Sequence, residues 1–228
     1  MIRFESVYKR YPSGRDALAS VSFRLEKGEM AFLTGPSGAG KSTLLKLIAL
    51  IERPSRGTVL IGDQNTSRVP RRRIPHFRRQ LGIVFQDHKL LNDRTVFDNV
   101  ALPLVIGALK RREIGRRVRA ALDQVGLLGY ENHAPRALSS GEQQRVGIAR
   151  AVASRPNLVI ADEPTGNLDP ELSHEILGLF ERFNEVGVTI LIATHDLGLI
   201  DERKHRTLKL DGGKIAATAP WHEDDVPA

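Results

Sequence analysis

The sequence lacks cysteine and has few aromatic residues and no long apolar run. None of its 228 residues is cysteine, which excludes disulfides and thiolate-bound metal sites and is compatible with a reducing compartment. The longest apolar run, residues 100–109, is half of the ~20 residues that a membrane-spanning helix needs, and it contains Pro103 and Gly107. The first residues follow a strand-like pattern without a signal segment. We therefore expect a cytoplasmic chain that does not cross a membrane unaided.

Positive charge is in excess, with 34 Lys and Arg against 27 Asp and Glu, a formal charge of +7. Three interpretations stay open: solvated helix faces, attraction to an anionic lipid surface or a membrane partner's loop, and nucleic-acid binding. The last is the least favoured, because interleaved aromatics and a clear recognition helix are missing. Two clusters supply much of the excess, one of Arg68, Arg71, Arg72, Arg73, Arg78 and Arg79, the other of Lys110, Arg111, Arg112, Arg116, Arg117 and Arg119.

The hydrophobic pattern predicts an α/β fold in one domain over residues 1–220. Residues 1–30 alternate as antiparallel strands do, whereas 30–34, 158–161 and 188–193 are apolar runs typical of buried parallel strands. We expect a nucleotide-binding core (1–86 and 156–220) with a mostly parallel sheet and an N-terminal antiparallel β subdomain. Residues 87–155 are predicted to form an inserted α-helical subdomain, and residues 221–228 a flexible tail.

A glycine-rich segment follows the first apolar strand. It reads Gly35-Pro36-Ser37-Gly38-Ala39-Gly40-Lys41-Ser42-Thr43, which is the G-x-x-x-x-G-K-[ST] pattern of a phosphate-binding loop. Its glycines allow backbone N–H groups to surround the phosphates of ATP. Lys41 supplies a positive charge for the β- and γ-phosphates, and the Ser42 hydroxyl is a candidate Mg²⁺ ligand.

Two acidic residues end the apolar strand at 158–161. Asp162 is predicted to orient the Mg²⁺ ion, directly or through water, and Glu163 to act as the general base on the attacking water. Alone the pair is compatible with an ordinary turn. Next to a phosphate-binding loop the two residues favour ATP hydrolysis.

The chain resembles the ATP-binding cassette (ABC) ATPases over nearly its whole length. The resemblance implies a P-loop NTPase core whose strand ends carry Gln86 and His195, with Gln86 near the metal and water and His195 on the γ-phosphate. It also implies that Tyr11 stacks on adenine. The segment Leu138-Ser139-Ser140-Gly141-Glu142 looks like the family signature, and Asn167-Leu168-Asp169 like the D-loop.

The family resemblance also implies a head-to-tail homodimer. Each ATP would lie between the phosphate-binding loop of one subunit and the signature of the other, where the Ser139 hydroxyl, the Gly141 N–H and the following helix dipole complete the γ-phosphate surroundings. Ser140 departs from the family pattern, which usually has glycine there. Its side chain is expected to crowd the phosphate or add a donor, with activity retained but slower.

A few further segments narrow the subgroup. Residues 84–91 and 96–104 and the run Gly141-Glu142-Gln143-Gln144-Arg145-Val146 are similar to the ATPases of lipoprotein release, macrolide-type efflux and cell division. The triplet Asp87-His88-Lys89 most resembles the FtsE family of cell-division ATPases, which implies a partner membrane subunit of the FtsX type and a location on the inner face of the plasma membrane. Lipoprotein release or efflux remains the alternative. A soluble ABC-type ATPase on nucleic acid and a metabolic P-loop kinase are more remote.

Overall fold

An antiparallel sheet of four strands forms the N-terminal part of the computed structural model. The model describes residues 1–166, 168–201 and 203–219. The strands are β1 (Ile2–Arg10), β2 (Asp16–Leu25), β4 (Arg56–Ile61) and β5 (Gln64–Asn65), in the order β2-β1-β4-β5. All three pairings in this sheet are antiparallel, as the alternating pattern of residues 1–30 predicts.

The second sheet has six strands in the order β10-β9-β3-β8-β7-β6. Strands β9, β3, β8, β7 and β6 run parallel, and β10 is an antiparallel edge strand. This mostly parallel sheet confirms the predicted α/β class. The strands are β3 (Met30–Thr34), β6 (Leu81–Val84), β7 (Leu158–Asp162), β8 (Thr189–Ala193), β9 (Arg206–Asp211) and β10 (Lys214–Ala219).

Seven α-helices lie in the described ranges, and none of them is long and apolar enough to cross a membrane. Three of the seven lie between β6 and β7, the stretch predicted to be helical, and no strand is found there. The predicted tail at 221–228 lies outside the described residues. The helices are α1 (Lys41–Ile48), α2 (Ile74–Arg78), α3 (Val96–Ile106), α4 (Arg111–Gln124), α5 (Ser140–Val152), α6 (Pro170–Glu185) and α7 (Gly198–Asp201).

The parallel sheet separates two hydrophobic clusters. Because side chains alternate along a strand, Met30 and Phe32 of β3 pack into the cluster that contains α3 to α6. Ala31 and Leu33 pack into the other cluster, with α1 and the antiparallel sheet. Strands buried on both faces hold their carboxyl ends rigidly, which matters for the side chains that follow them.

A buried asparagine fixes the loop between β6 and α3. The Asn99 side chain is fully buried; its oxygen accepts from the Leu91 N–H at 2.7 Å, and its amide donates to the carbonyls of Leu91 (3.0 Å) and Thr95 (2.9 Å). Thr95 also begins α3 with a capping box to Asp98. Asn99 therefore ties the end of the loop that carries Gln86 to the first turn of α3.

We expect Asn99→Ala to destabilise the protein by about 1–2 kcal/mol, because it leaves partly buried backbone groups of Leu91 and Thr95 without their side-chain partner. Chemical denaturation of both proteins measures the change in the free energy of unfolding. Asn92→Ala is the matched control, since Asn92 is exposed in the same loop. Equal stability of the two variants would contradict this account of Asn99.

Candidate functional site

The candidate site lies at the carboxyl ends of three neighbouring parallel strands. Leu33 of β3 pairs with Ala193 of β8, and Ala193 pairs with Asp162 of β7. The Glu163 N–H donates to the Ala193 carbonyl at 2.8 Å. The glycine-rich loop after β3, the acidic pair at the end of β7 and His195 after β8 are therefore brought to one edge of the sheet.

A cavity of about 680 Å³ opens at this edge. Of the predicted nucleotide-binding residues only Gly35 is missing from its lining, and Gln86, Glu163 and His195 all face it. The signature residues Ser139 to Glu142 and Asp169 of the same chain are not among the described residues that line it. The lining residues are Tyr11, Arg15, Pro36, Ser37, Gly38, Ala39, Gly40, Lys41, Ser42, Thr43, Gln86, Glu163 and His195.

The loop glycines are required by close packing as well as by room for phosphate. A Cβ on Gly35, where φ is +140°, would lie 2.0 Å from the Leu210 carbonyl oxygen. A Cβ on Gly40, where φ is +112°, would lie 2.5 Å from the Ala17 carbonyl oxygen. Both glycines thus let the loop pass against neighbouring strands in a backbone conformation that side chains disfavour.

The first turn of α1 is open to an anion. Gly40 precedes the helix and supplies no side-chain cap, so the first N–H groups of α1 have no side-chain acceptor there. With the helix dipole, such N–H groups form a binding site for phosphate.

Lys41 is held by the loop itself. Its ammonium donates to the Gly35 carbonyl at 2.7 Å and lies 3.6 Å from a Glu163 carboxylate oxygen. The Lys41 side chain is only 8% exposed and the Glu163 side chain 12%. The ammonium predicted to bind the β- and γ-phosphates therefore already lies at the phosphate-binding loop. Its hydrogen bond to the Gly35 carbonyl is weaker than a charge-assisted bond to a phosphate would be.

Glu163 bonds to His195 across the strand ends. The Glu163 carboxylate accepts from the His195 backbone N–H at 3.3 Å and lies 2.9 Å from the ring Nδ1. Because a carboxylate only accepts, this contact requires a proton on Nδ1 and leaves Nε2 facing outward. Glu163 also has a left-handed backbone, with φ at 48°, a conformation that non-glycine residues seldom adopt.

Asp162 lies beside Ser42, as a shared metal site requires. The Ser42 hydroxyl donates to Asp162 Oδ1 at 3.3 Å. Burial raises the pKa of Asp162, while the Ser42 hydrogen bond acts in the opposite direction. A hydroxyl, a carboxylate and the nearby Gln86 amide are hard oxygen donors, which is the set that fits Mg²⁺.

Tyr11 lines the cavity beside the start of α1. Its hydroxyl is 3.3 Å from Thr43 Oγ1, and the Lys9 ammonium lies 5.0 Å from the ring centroid. The side chain of Lys9 is itself held by Glu52 at 2.7 Å. These contacts fix the ring at the cavity wall, a position compatible with the predicted stacking on adenine.

The signature forms the start of α5, and its side chains are engaged within the chain. Ser139 caps the helix: its hydroxyl accepts from the Glu142 N–H at 3.3 Å and donates to the Glu142 carboxylate at 2.8 Å. The bonds from the Ser139 N–H and hydroxyl lower the pKa of Glu142. Ser140, the first residue of α5, is exposed. Gly141 is buried, and a Cβ there would lie 3.1 Å from a Leu172 methyl.

Asp169 caps α6. Its carboxylate accepts from the Leu172 N–H at 2.9 Å, so the D-loop and the signature both contact the first turn of α6. Asn167 of the predicted D-loop lies outside the described residues.

Arg15 also lines the cavity, although no sequence motif indicates it. Its guanidinium donates to the Gly38 carbonyl at 2.9 Å. A lone arginine in a polar segment carries no motif, so only the packing of β2 against the loop reveals it.

Arg150 is a second residue that the motifs did not indicate. From near the end of α5 it donates to the carbonyls of His88 and of Lys89, the latter at 2.7 Å. Both residues have left-handed backbones, with φ at 56° and 48°. Burial lowers the pKa of Arg150. In the sequence, the one feature that could indicate a structural role for Arg150 is its position as the only charged residue in the segment 146–152.

Arg150 thus joins the signature helix to the turn after Gln86. Ser139 and Arg150 are about 16 Å apart along the helix axis, at 1.5 Å per residue. The guanidinium thus couples the position of α5 to both carbonyls of this turn.

We expect Arg150→Gln to lower kcat by about 10-fold with little change in ATP affinity, because Gln86 loses its fixed position while the phosphate-binding loop is untouched. Phosphate release and ATP titration separate the two effects, and Arg150→Lys should recover only part of the rate. Exposed Arg155→Gln is the control. A proportional loss of affinity and rate would contradict a positioning role.

The sequence of the chain matches a known family and several characterised relatives. The ABC transporter family matches residues 18–166. The cell division ATP-binding protein FtsE of Escherichia coli is 59% identical over 94% of this chain and 97% of its own length. The FtsE of Mycobacterium tuberculosis is 44% identical, with 94% of each chain covered.

Solved structures agree with this assignment. A dimeric ATP-binding cassette in a post-hydrolysis state, bound to ADP and Pi, has a TM-score of 0.87 and 34% identity over 96% of this chain and 97% of its own. CbiO1 from Clostridium perfringens, part of an ABC transporter complex, has a TM-score of 0.88 and 32% identity over 95% and 87%. With the phosphate-binding loop, the acidic pair and the strand-end histidine at one edge of its sheet, this chain belongs to the ABC ATPases and hydrolyses ATP.

Proposed function

We propose that the chain is the ATP-hydrolysing subunit of an FtsE-type complex, which pairs with an FtsX-like membrane subunit and passes ATP-driven motion to cell-wall hydrolases during division. The observation that carries this proposal is identity of 59% to a cell division ATP-binding protein along 97% of that protein. The two FtsE proteins named above carry the division role in their names, which favours division over lipoprotein release or efflux.

The active unit in this proposal is a homodimer. Among the described residues, the cavity is lined by the phosphate-binding loop, two residues before it and three strand-end side chains, and the signature residues are absent from this lining. A second copy would supply Ser139 and Gly141 from the start of its α5, with the helix dipole directed at the γ-phosphate. Asp169, which fixes the first turn of α6 against the signature, would lie at the same interface.

Hydrolysis would be divided among four side chains at the strand ends. Lys41 would leave the Gly35 carbonyl and bind the phosphates, which frees the Glu163 carboxylate from its positive neighbour. Glu163 then accepts a proton from the attacking water, and His195 holds Glu163 and the γ-phosphate in register. Gln86, which also lines the cavity, would orient the water.

The ABC ATPases generally use ATP together with Mg²⁺, and the residues present fit that ion. Ser42, Asp162 and Gln86 would hold it, with Asp162 acting directly or through water. When bound, it would offset the charge of the β- and γ-phosphates.

Ser140 would determine how closely the signature of the second copy approaches the γ-phosphate. It is exposed at the first position of α5, next to the Ser139 cap. Its side chain would meet the γ-phosphate where most relatives of the family offer glycine, so we infer a slower closure or one extra hydroxyl donor.

We also infer two mechanical units, a core of residues 1–86 and 156–220 and a helical unit of residues 87–155. The boundary at 86–87 falls in the turn that Arg150 holds, and the boundary near 155 follows the end of α5. Both connections thus lie close to the helix that begins with the signature.

The apolar run at residues 100–109 offers two faces. Val100, Ala101 and Leu104 are buried in the core, whereas Val105 and Ile106 are 57% and 53% exposed at the end of α3. Core packing accounts for the first set. We infer that the exposed pair contacts the membrane subunit, which would hold the chain on the inner face of the plasma membrane.

Glu163→Gln should bind MgATP, form a stable dimer and lose hydrolysis by roughly 10²-fold or more, because an amide cannot accept the proton of the attacking water. Phosphate release measures the rate, and size-exclusion chromatography with MgATP measures dimer formation. Exposed Glu185→Gln is the control. Unchanged turnover in Glu163→Gln would remove Glu163 from this role.

Ile106→Asp should reduce copurification with the FtsX-like subunit by roughly 10-fold, because a charge at a buried interface costs more than the lost apolar contact. ATP turnover of the isolated chain should stay unchanged. Val186→Asp is the matched control, an apolar residue that is 78% exposed at the end of α6. Full copurification of Ile106→Asp would exclude this surface.

A further inference from the structure

The two basic clusters of the sequence differ in how their charge is neutralised. In the second cluster, Glu113 accepts from Arg116 at 2.9 Å and from Arg117 at 2.7 Å, and Glu131 lies 3.0 Å from Arg119. The two arginines lower the pKa of Glu113 to about 2. Half of the second cluster is therefore paired within the chain, whereas Lys110, Arg111 and Arg112 have no carboxylate partner among the described residues.

The first cluster has no such partners. We call five of its residues the arginine strip: Arg68, Arg71, Arg72, Arg73 and Arg79, all of them exposed. No Asp or Glu occurs between Asp63 and Asp87. In the described ranges none of the five forms an ion pair or a side-chain hydrogen bond. The strip therefore presents uncompensated positive charge over a segment of twelve residues, 68–79.

Packing fixes the strip against the core, so it is not a loose arm. Phe77 is 4% exposed, and Arg78 donates to the Ala49 and Leu50 carbonyls at 3.0 and 2.8 Å, where α1 ends. On the other side, Arg53 donates to the Ser67 carbonyl at 2.7 Å. These anchors hold the charged segment in one place on the surface.

A mostly apolar hollow lies next to the carbonyls that Arg78 binds. Leu45, Ile51 and Phe85 are among its lining residues, together with the polar Ser42, Lys46 and Asp162. Ile51, immediately after those carbonyls, is 48% exposed. Unpaired cations beside exposed apolar surface are the combination that favours the headgroup region of an anionic bilayer.

We propose that the arginine strip binds an anionic lipid surface directly and orients the chain at the membrane beside its membrane subunit. The proposal rests on the membrane location in the proposed function. Nucleic acid fits the strip less well, because α2 has only five residues and its one aromatic, Phe77, is buried and cannot stack on bases.

Cosedimentation of the full chain with vesicles tests the proposal without any membrane subunit. Vesicles of equal parts phosphatidylglycerol and phosphatidylcholine should bind the chain, vesicles of phosphatidylcholine alone should not, and raised salt should weaken binding. The triple variant Arg71→Gln, Arg72→Gln, Arg73→Gln should lower the partition coefficient roughly 100-fold. A triple lysine variant at the same positions should bind like the original chain.

The matched control is the triple variant Lys110→Gln, Arg111→Gln, Arg112→Gln, which removes the same charge from exposed positions of the other cluster. It should keep vesicle binding, and both triple variants should keep ATP turnover and melting temperature. An equal loss in both would mean that binding follows net charge and would overturn the proposal. Absence of binding by the original chain, or tighter strip-dependent binding to duplex DNA than to vesicles, would overturn it too. Copurification with the membrane subunit is scored separately, so either proposal can fail alone.

Discussion

The parallel pairing of β3, β8 and β7 is the constraint on which the rest of the site depends. The pairings of Leu33 with Ala193 and of Ala193 with Asp162 bring three chain segments, far apart in sequence, to one edge of the sheet. Because each strand is buried on both faces, this edge cannot shift without disturbing two hydrophobic clusters at once. The phosphate-binding loop, the acidic pair and His195 are thus positioned by packing that contains no polar group of the site.

Helix α5 connects the signature to the turn that follows Gln86. It begins at the signature, packs its apolar residues into the cluster under the sheet, and near its end binds the two strained residues after Gln86. The element that would meet a second subunit and the element that follows the metal-side glutamine are therefore parts of one rigid body. If the signature and the turn after Gln86 were flexibly connected to α5, the chain could still bind ATP, but ATP binding would not change the position of that turn.

Sequence patterns predicted the fold class and most of the cavity because those features are local. The glycine-rich loop, the acids after an apolar run and the histidine after another are each readable within about ten residues, and the sheet places them as expected. Arg15 and Arg150 could not be predicted, because their roles depend on contacts with residues far away in the sequence and not on a local motif. The difference between the two arginine clusters was equally invisible, since it depends on whether a carboxylate such as Glu131 folds back onto Arg119. The close approach of Gly35 to the Leu210 carbonyl likewise joins residues 175 positions apart.

The cap on α5 has a consequence for how a signature can release and regain its ligand. The Ser139 hydroxyl has a single proton, which in this structure points to the Glu142 carboxylate. If the hydroxyl turned to donate to a phosphate oxygen instead, it would give up one charge-assisted hydrogen bond to Glu142. The helix would keep its cap, because the Ser139 N–H still donates to Glu142 at 2.8 Å and the Ser139 oxygen still accepts from the Glu142 N–H. The signature can therefore exchange an internal acceptor for an external one by rotating one hydroxyl, without unwinding a turn. Such an exchange is fast and reversible, and it favours a contact that is made and broken in every cycle.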